Sequence, residues 1–127
     1  MLKVLVIDDE QMHRDHAAAI LRGAGFDVRT GESAREGLAL LSAGKPDLIF
    51  CDAMMPEVDG FEFLDQLRAD PENGEIPFVF FTAMRFKGVR EEAKGRGAQE
   101  YLVKPYKAEA LIGAARRLLN LPDASPD

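Results

Sequence analysis

Several features that would identify other classes of protein are scarce or absent in this sequence. Its 127 residues include no tryptophan and a single cysteine, Cys51. One cysteine excludes an internal disulfide and favours a reducing compartment. No apolar run approaches the roughly 18 residues that a membrane-spanning helix needs, and the N-terminal run ends at Ile7, too early for a secretory signal. We therefore expect a cytoplasmic protein that has no membrane partner.

Positive charge is also in short supply. Lysine and arginine together number 16 against 22 aspartates and glutamates, which gives a formal net charge of −6. Such a balance disfavours direct binding to nucleic acid, because the phosphates repel the average surface. No glycine-rich loop follows the first apolar run, so a nucleotide or flavin site is not indicated.

What the sequence does contain is an alternation of short apolar runs and amphipathic stretches. The runs predict five strands, at residues 3–7, 26–29, 47–51, 78–81 and 101–103. All except the second are continuously apolar, which is typical of a parallel sheet covered on both faces. The intervening stretches predict five helices and hence a doubly wound α/β fold. Residues 1–120 are expected to form one domain, and 121–127 a tail or the start of a linker.

Two of the predicted helices carry more detail. The second has a capping box formed by Ser33 and Glu36, and an apolar face that includes Ala34, Leu38 and Leu41. The fourth has an apolar face of Phe86, Val89 and Ala93. Its start is expected to bear Arg85 and Lys87, where the helix dipole disfavours cations, so we expect it to be the least stable helix.

Polar side chains follow four of the five predicted strands. Asp8 and Asp9 follow the first, Asp52 the third, Thr82 the fourth and Lys104 the fifth. Each of these taken alone is a reasonable helix cap or loop residue. The carboxyl ends of parallel strands share one edge of the sheet, where ligands bind in such folds. Together the residues therefore predict a site at that edge.

The chemistry of this residue set points to phosphoryl transfer. Three converging carboxylates repel one another, and a hard dication such as Mg²⁺ removes that cost. Asp9 and Asp52 are plausible direct ligands, Asp8 can act through water, and a backbone carbonyl after Asp52 can supply another oxygen. Lys104 and the Thr82 hydroxyl remain as donors to anionic oxygens. One exposed carboxylate nucleophile beside a metal is suited to accept a phosphoryl group.

At this point four motifs carry a family resemblance: "VLVIDDE", "LIFCDAMMPEVDGFE", "PFVFFTAM" and "AQEYLVKPY". Residues 2–120 resemble the receiver domain of two-component response regulators, the CheY-like family. The resemblance implies a flavodoxin-like sheet with strand order 2-1-3-4-5. It implies that Asp52 is the phosphoacceptor, and that Asp8 and Asp9 form an acidic pocket for Mg²⁺ (or Mn²⁺) with the Met54 carbonyl as a further ligand.

The same resemblance implies a switch. Thr82 would be the switch hydroxyl, Lys104 the phosphate-binding lysine and Tyr101 an aromatic rotamer switch, with a cis peptide bond before Pro105. A sensor histidine kinase or phosphotransfer protein would be the donor. The output face would be formed by the fourth helix, fifth strand and fifth helix. The resemblance also allows a homodimer to form through this face. The sequence names neither the kinase nor the effector, and no turnover enzyme is implied.

Some features depart from the family or suggest alternatives. Met54 and Met84, two residues beyond Asp52 and Thr82, stand where such proteins often have polar residues. A thioether orients an attacking water poorly, so the rate of dephosphorylation is open. A pseudo-receiver that takes no phosphate is one alternative function. An aspartyl phosphatase of the haloacid dehalogenase type is another. That class has an Asp-x-Asp motif at the first strand, whereas Asp8 and Asp9 are adjacent here.

His13 and His16 lie three residues apart on the first predicted helix. A zinc site that these histidines form with Asp15 is conceivable. We interpret both histidines instead as solvent-facing side chains.

Overall fold

Strands and helices alternate along the whole chain in the computed structural model, which describes residues 1–122. The expected alternation of five strands and five helices is confirmed. Residues 123–127 of the expected tail lie outside the described part of the chain. The elements are β1 Lys3–Ile7, α1 Gln11–Gly23, β2 Asp27–Gly31, α2 Ala34–Ala43, β3 Leu48–Cys51, α3 Gly60–Ala69, β4 Phe78–Thr82, α4 Val89–Gly95, β5 Glu100–Val103 and α5 Ala108–Leu118.

The five strands form one parallel sheet in the order β2-β1-β3-β4-β5, so the predicted flavodoxin-like topology is confirmed. Successive residues of a strand point to opposite faces. In β4, accordingly, Phe78 and Phe80 join the apolar cluster on one face, and Val79 and Phe81 join the cluster on the other. Two cores result, one on each side of the sheet, and this explains why the central strands are apolar at every position.

The second strand begins later than expected, at Asp27 and not at residue 26. Phe26 is buried, but its N–H donates to the Leu21 carbonyl at the end of α1. Its burial therefore belongs to the turn, and an apolar residue was mistaken for the start of the strand. At the other end of the chain, Leu121 packs against the core, and its N–H donates to the Arg116 carbonyl at 2.8 Å.

Helix α2 is capped by one half of the expected capping box. The Ser33 hydroxyl accepts from the Glu36 N–H at 3.1 Å, but the Glu36 carboxylate accepts from the Glu32 N–H. The predicted reciprocal hydrogen bond, from the Ser33 N–H to the Glu36 carboxylate, is therefore wrong. Leu38 was also wrongly placed on the buried face, since it is 39% exposed. The buried face of α2 consists of Ala34, Gly37 and Leu41. These residues are three and then four positions apart, so they lie on the one side of the helix that packs on the sheet.

Helix α4 begins at Val89, four residues after Arg85 and two after Lys87. Arg85 and Lys87 precede the helix, and its first turn contains Glu91 and Glu92, which the helix dipole favours. The expected clash between cations and the dipole is therefore wrong. The apolar spacing of Phe86, Val89 and Ala93 led the prediction to start the helix too early, within the loop that precedes it.

The apolar face of α4 is smaller than expected. Val89 and Ala93 are buried, but Phe86 lies in the preceding loop and is 57% exposed. Gly88 is the N-cap, with a φ of 86° in the left-handed region and no side-chain cap. Among residues 1–122, none of the helices combines the length and the apolar composition that crossing a bilayer demands.

Candidate functional site

Three of the predicted site residues meet at the carboxyl edge of the sheet. Lys104 Nζ lies 2.6 Å from Asp8 Oδ2 and 3.0 Å from Asp52 Oδ2. The register explains the meeting, because Ile7 of β1 pairs with Cys51 of β3 and the two aspartates follow directly. All three side chains are buried, with Asp8 0%, Asp52 4% and Lys104 8% exposed. Buried charges this close form a hydrogen-bonded ionic site.

Thr82 lies at the same edge, as the last residue of β4. It is fully buried, and its backbone carbonyl accepts from the Lys104 N–H at 2.8 Å. Its hydroxyl oxygen accepts from the Met84 N–H at 3.3 Å. Thr82 and Lys104 are therefore brought to the same edge by the pairing of β4 with β5.

The Asp52 carboxylate is held at both oxygens. Oδ1 accepts from the Met54 N–H at 3.0 Å, and Oδ2 accepts from Lys104. Beneath this carboxylate the chain passes close to α3, since a Cβ at Gly60 would collide with the Asp52 carbonyl and come within 2.9 Å of Ala53 Cα. The orientation of the carboxylate is thus fixed by backbone on one side and by an ammonium group on the other.

Asp9 completes an acidic pocket. It is exposed, and Asp8, Asp9 and Asp52 each offer a carboxylate oxygen within 4.8 Å of the others. Burial, assisted by the Asp52 charge, raises the pKa of Asp8, although hydrogen bonds from Lys104 and from the Glu10 N–H oppose the shift. A set of oxygen ligands this close, with a net negative charge, fits Mg²⁺ or Mn²⁺. The receiver family in general binds Mg²⁺ in such a pocket, and the donor set of this chain agrees with that.

Lys104 keeps its charge in this setting. Burial lowers its pKa, but the hydrogen bonds with Asp8 and Asp52 and the charges of those carboxylates outweigh burial and raise the pKa above the usual value. Its ammonium nitrogen also lies 4.9 Å from the centre of the Phe81 ring. The peptide bond between Lys104 and Pro105 is cis. The site therefore presents a fixed positive charge beside two carboxylates.

Tyr101 connects β5 to the loop after β4. Its side chain is 4% exposed, and its hydroxyl donates to the Met84 carbonyl at 2.6 Å. Arg90 of α4 covers the ring, with its guanidinium carbon 5.5 Å from the ring centre, and donates to the Tyr101 carbonyl at 2.9 Å. The ring is therefore placed where a movement of this loop or of α4 would reach it.

Two residues at the site were missed by sequence reasoning. His13 Nδ1 lies 2.8 Å from Lys104 Nζ, so the expectation that His13 only faces solvent is wrong. Arg85 donates to the Lys104 carbonyl at 2.9 Å. The signal for His13 was its place in the first turn of the helix that follows Asp8 and Asp9. No local signal points to Arg85, whose partner is 19 residues away. His16 stacks on Tyr106, with ring centres 6.3 Å apart.

Comparison with known proteins agrees with this geometry. The family described as the response regulator receiver domain matches residues 4–116. The chain is 35% identical to the DNA-binding dual master transcriptional regulator RpaA of Synechocystis over 99% of its own length and 52% of that protein. It is 33% identical to protein PilG of Pseudomonas aeruginosa, over 98% of this chain and 91% of that protein.

A solved structure gives the same result. The chemotaxis protein CheY4 of Vibrio cholerae superposes with a TM-score of 0.87 at 34% identity, over 94% of this chain and 99% of that one. The chain spans about half the length of RpaA and of several other curated relatives it matches. The matched family covers both cores and every residue of the site. The chain therefore belongs to the response regulator receiver domains of two-component systems.

Proposed function

We propose that this domain accepts a phosphoryl group on Asp52 from a sensor histidine kinase or a phosphotransfer protein, and that the phosphate switches its output face. The observation that carries the proposal is the meeting of Asp8, Asp52 and Lys104 at the ends of β1, β3 and β5. Family membership supports the donor class. The cytoplasmic location expected from the sequence belongs to the same proposal.

The transfer is a displacement at phosphorus. An oxygen of the Asp52 carboxylate forms a bond to the phosphorus, and the bond from phosphorus to the donor imidazole nitrogen breaks. The imidazole leaves with the electron pair of that bond and takes up a proton. Positioning and charge neutralisation supply most of what such a transfer needs. The Met54 N–H and the Lys104 ammonium hold the nucleophile in place.

The remaining residues stabilise the phosphoryl oxygens. Asp9, Asp52 and the Met54 carbonyl would hold Mg²⁺ directly, and Asp8 would hold it through water. Bound Mg²⁺ would neutralise charge on the phosphoryl oxygens. Lys104 would donate hydrogen bonds to the phosphoryl oxygens.

The output follows from the neighbours of Thr82. A hydrogen bond from its hydroxyl to a phosphoryl oxygen draws in the loop after β4, which contains Met84. Movement of Met84 releases the Tyr101 hydroxyl, because that hydroxyl donates to the Met84 carbonyl. The rearranged face of α4, β5 and α5 then meets an effector or a second copy of the domain. The proposal includes neither direct binding of this domain to nucleic acid nor catalytic turnover.

Loss of the phosphate is expected to be slow. Met54 is 55% exposed and Met84 packs against the core, and neither thioether sulfur donates a hydrogen bond to an attacking water. Polar replacements such as Met54→Asn are expected to shorten the lifetime of the aspartyl phosphate.

Intact-mass analysis tests the proposal. Wild type treated with acetyl phosphate and Mg²⁺ should gain one phosphoryl group that hydroxylamine removes, and Asp52→Asn should gain none. Asp65→Asn, at an exposed position on α3, is the matched control and should behave as wild type. Absence of phosphate on wild type, with acetyl phosphate and with a phosphorylated histidine domain alike, would favour the pseudo-receiver. Sustained hydrolysis of a phosphomonoester would favour the haloacid dehalogenase type of activity.

A further inference from the structure

A second group of metal-ligating side chains adjoins the acidic pocket on the side of α1. Asp8, Glu10 and His13 each offer a ligand atom within 4.8 Å of the others. His13 Nδ1 is 3.6 Å from Glu10 Oε1. This group shares Asp8 with the proposed magnesium site, but it replaces Asp9 and Asp52 with a carboxylate and an imidazole from the start of α1.

A cation already lies between two of these three residues. The Lys104 ammonium is 2.6 Å from Asp8 Oδ2 and 2.8 Å from His13 Nδ1. An ammonium group has donors only, so Nδ1 must accept and its lone pair must point at the cation. An imidazole nitrogen and a carboxylate oxygen therefore converge on one position, and these are the ligand types that bind transition-metal ions.

The group is open to ions from solvent. Beside it lies a cavity of about 300 Å³ lined by His13, His16, Lys104, Pro105 and Tyr106. The side chains of His13 and Glu10 are 44% and 63% exposed. Asp8 is the buried end of the group. The cavity therefore adjoins the group at His13.

We propose that Asp8, Glu10 and His13 form a binding site for a borderline transition-metal dication, with Zn²⁺ as the first choice. Zn²⁺ is held in proteins by imidazole nitrogen and carboxylate oxygen, and sites with three protein ligands leave a position for water. Mg²⁺ prefers oxygen ligands and octahedral geometry, so the imidazole selects against it. The two sites thus differ in metal, although they share one carboxylate.

Zinc at this site excludes the productive state of the domain. It takes Asp8 from the acidic pocket, and its charge expels the Lys104 ammonium from between Asp8 and His13. Lys104 then no longer supports Asp52. We therefore expect Zn²⁺ to inhibit phosphorylation; this consequence rests on the proposed function, whereas zinc binding itself does not.

Calorimetric titration of the Mg²⁺-free protein with Zn²⁺ tests the site. His13→Ala should weaken binding by at least about tenfold, the lower end of what losing even an outer partner of a metal ligand costs. His16→Ala is the matched control, since it removes the next histidine on the same helix, and it should bind Zn²⁺ as wild type does. Equal affinity of wild type and His13→Ala would overturn the proposal. Equal weakening by the two histidine variants would also overturn it, because the ion would then lie between the histidines.

Two further variants separate this site from the magnesium site. Asp9→Asn should lose Mg²⁺-dependent thermal stabilisation and keep Zn²⁺ binding. Lys104→Met should bind Zn²⁺ more tightly than wild type, because the competing ammonium is gone. A Lys104→Met protein with weakened zinc binding would contradict the displacement. If wild type binds Zn²⁺ as described but never accepts phosphate, the proposed function fails and the zinc site stands. Phosphorylation at an unchanged rate with Zn²⁺ saturating would overturn the inhibitory role.

Discussion

The two loops that flank the site are held in different ways. The β3–α3 loop, residues 52–59, is fastened at both ends. The Met54 N–H binds the Asp52 carboxylate, and the Gly60 N–H donates to the Ala53 carbonyl at 3.0 Å. Asp59 then begins α3 with a complete capping box, in which Glu62 returns the hydrogen bond.

The β4–α4 loop, residues 83–88, has weaker support. The Met84 N–H reaches the Thr82 hydroxyl at 3.3 Å, a long hydrogen bond. Phe86 is exposed, and Gly88 starts α4 without a side-chain cap. Helix α4 has 7 residues against 10 in α3. Among the described residues, the shortest hydrogen bond to this loop is the one that the Tyr101 hydroxyl donates to the Met84 carbonyl.

The difference separates two tasks. In the proposed function Asp52 accepts the phosphoryl group and must keep its orientation, and the β3–α3 loop holds it with backbone hydrogen bonds. A switch must move at small cost, and moving elements are drawn from the less stable parts of a fold. The β4–α4 loop next to Thr82 has the properties of such an element.

The largest expected effect comes from Gly60, the first residue of α3, compared with Gly88, the N-cap of α4. Gly60→Ala places a Cβ against the Asp52 carbonyl, Ala53 Cα and the Phe80 ring, so backbone must shift. We expect a loss of about 3 kcal/mol in the free energy of unfolding. Gly88→Ala meets no atom within 4 Å and carries only the strain of its positive φ, about 1–2 kcal/mol. Urea unfolding of both variants checks this. Equal losses would mean that the β3–α3 loop is no more constrained than the other.

The contrast between the loops also marks how far the sequence could predict this structure. The meeting of Asp8, Asp52 and Lys104 was predictable because each is the first polar residue after a buried run, and parallel pairing brings such residues to one edge. To predict that Asp8 and Asp52 are neighbours, only the register of β1 with β3 is needed. The cap at Asp59 has its own local signal, since Glu62 lies three residues on.

The β4–α4 loop could not be predicted in the same way. Phe86, Val89 and Ala93 have helical spacing, so the pattern extends the helix to include Phe86. The true start depends on the backbone conformation of Gly88, which a left-handed φ places outside the helix. The contact of His13 with Lys104 also depends on the rotation of α1 against the sheet, over a separation of 91 residues. Local pattern does not fix the start of α4, and for His13 it gives only the position in the first turn of α1.

The capping box of α3 gives the next prediction. Asp59→Ala removes the side chain that accepts from the Glu62 N–H at 2.9 Å, and should lower the free energy of unfolding by about 1 kcal/mol. Ser33→Ala, at the half-formed box of α2, is the comparison and should cost less. Chemical denaturation measures both. If the two variants lose the same amount, the reciprocal bond of Glu62 adds nothing to the stability of the β3–α3 loop.

Hydrogen exchange compares the helices without mutation. Amides of α4 from Val89 to Lys94 should exchange at least about tenfold faster than those of α5 around Leu111, because α4 has 7 residues against 11 in α5 and buries only Val89 and Ala93. They should slow when the phosphate analogue beryllofluoride is added with Mg²⁺. Thr82→Ala is the control, and its α4 should respond weakly. Equal protection of α4 and α5 before activation would count against a weak fourth helix.

The smallest expected effect concerns the bond that fastens the β4–α4 loop to β5. Burial raises the pKa of Tyr101, although the charge of Arg90 opposes the shift, so the folded protein keeps the phenol proton to a higher pH than the unfolded chain does. The stabilisation from this proton is present below about pH 10, the pKa of an unperturbed tyrosine, and is lost as the pH rises above it.

Tyr101→Phe should therefore cost about 1 kcal/mol or less at pH 7, through loss of the bond to the Met84 carbonyl, and should reduce the decline in stability between about pH 10 and 11. Part of the decline should remain in both proteins, because burial raises the pKa of Tyr106 to about 12. Urea unfolding at pH 7, 10 and 11 measures these slopes, and exchange should quicken at residues 84–88 but not at residues 52–59. Identical pH slopes in wild type and Tyr101→Phe would show that folding does not raise the pKa of Tyr101, and unchanged exchange at residues 84–88 would show that the hydroxyl does not hold the loop. Faster exchange in both loops would show that they are coupled, against the division of tasks between them.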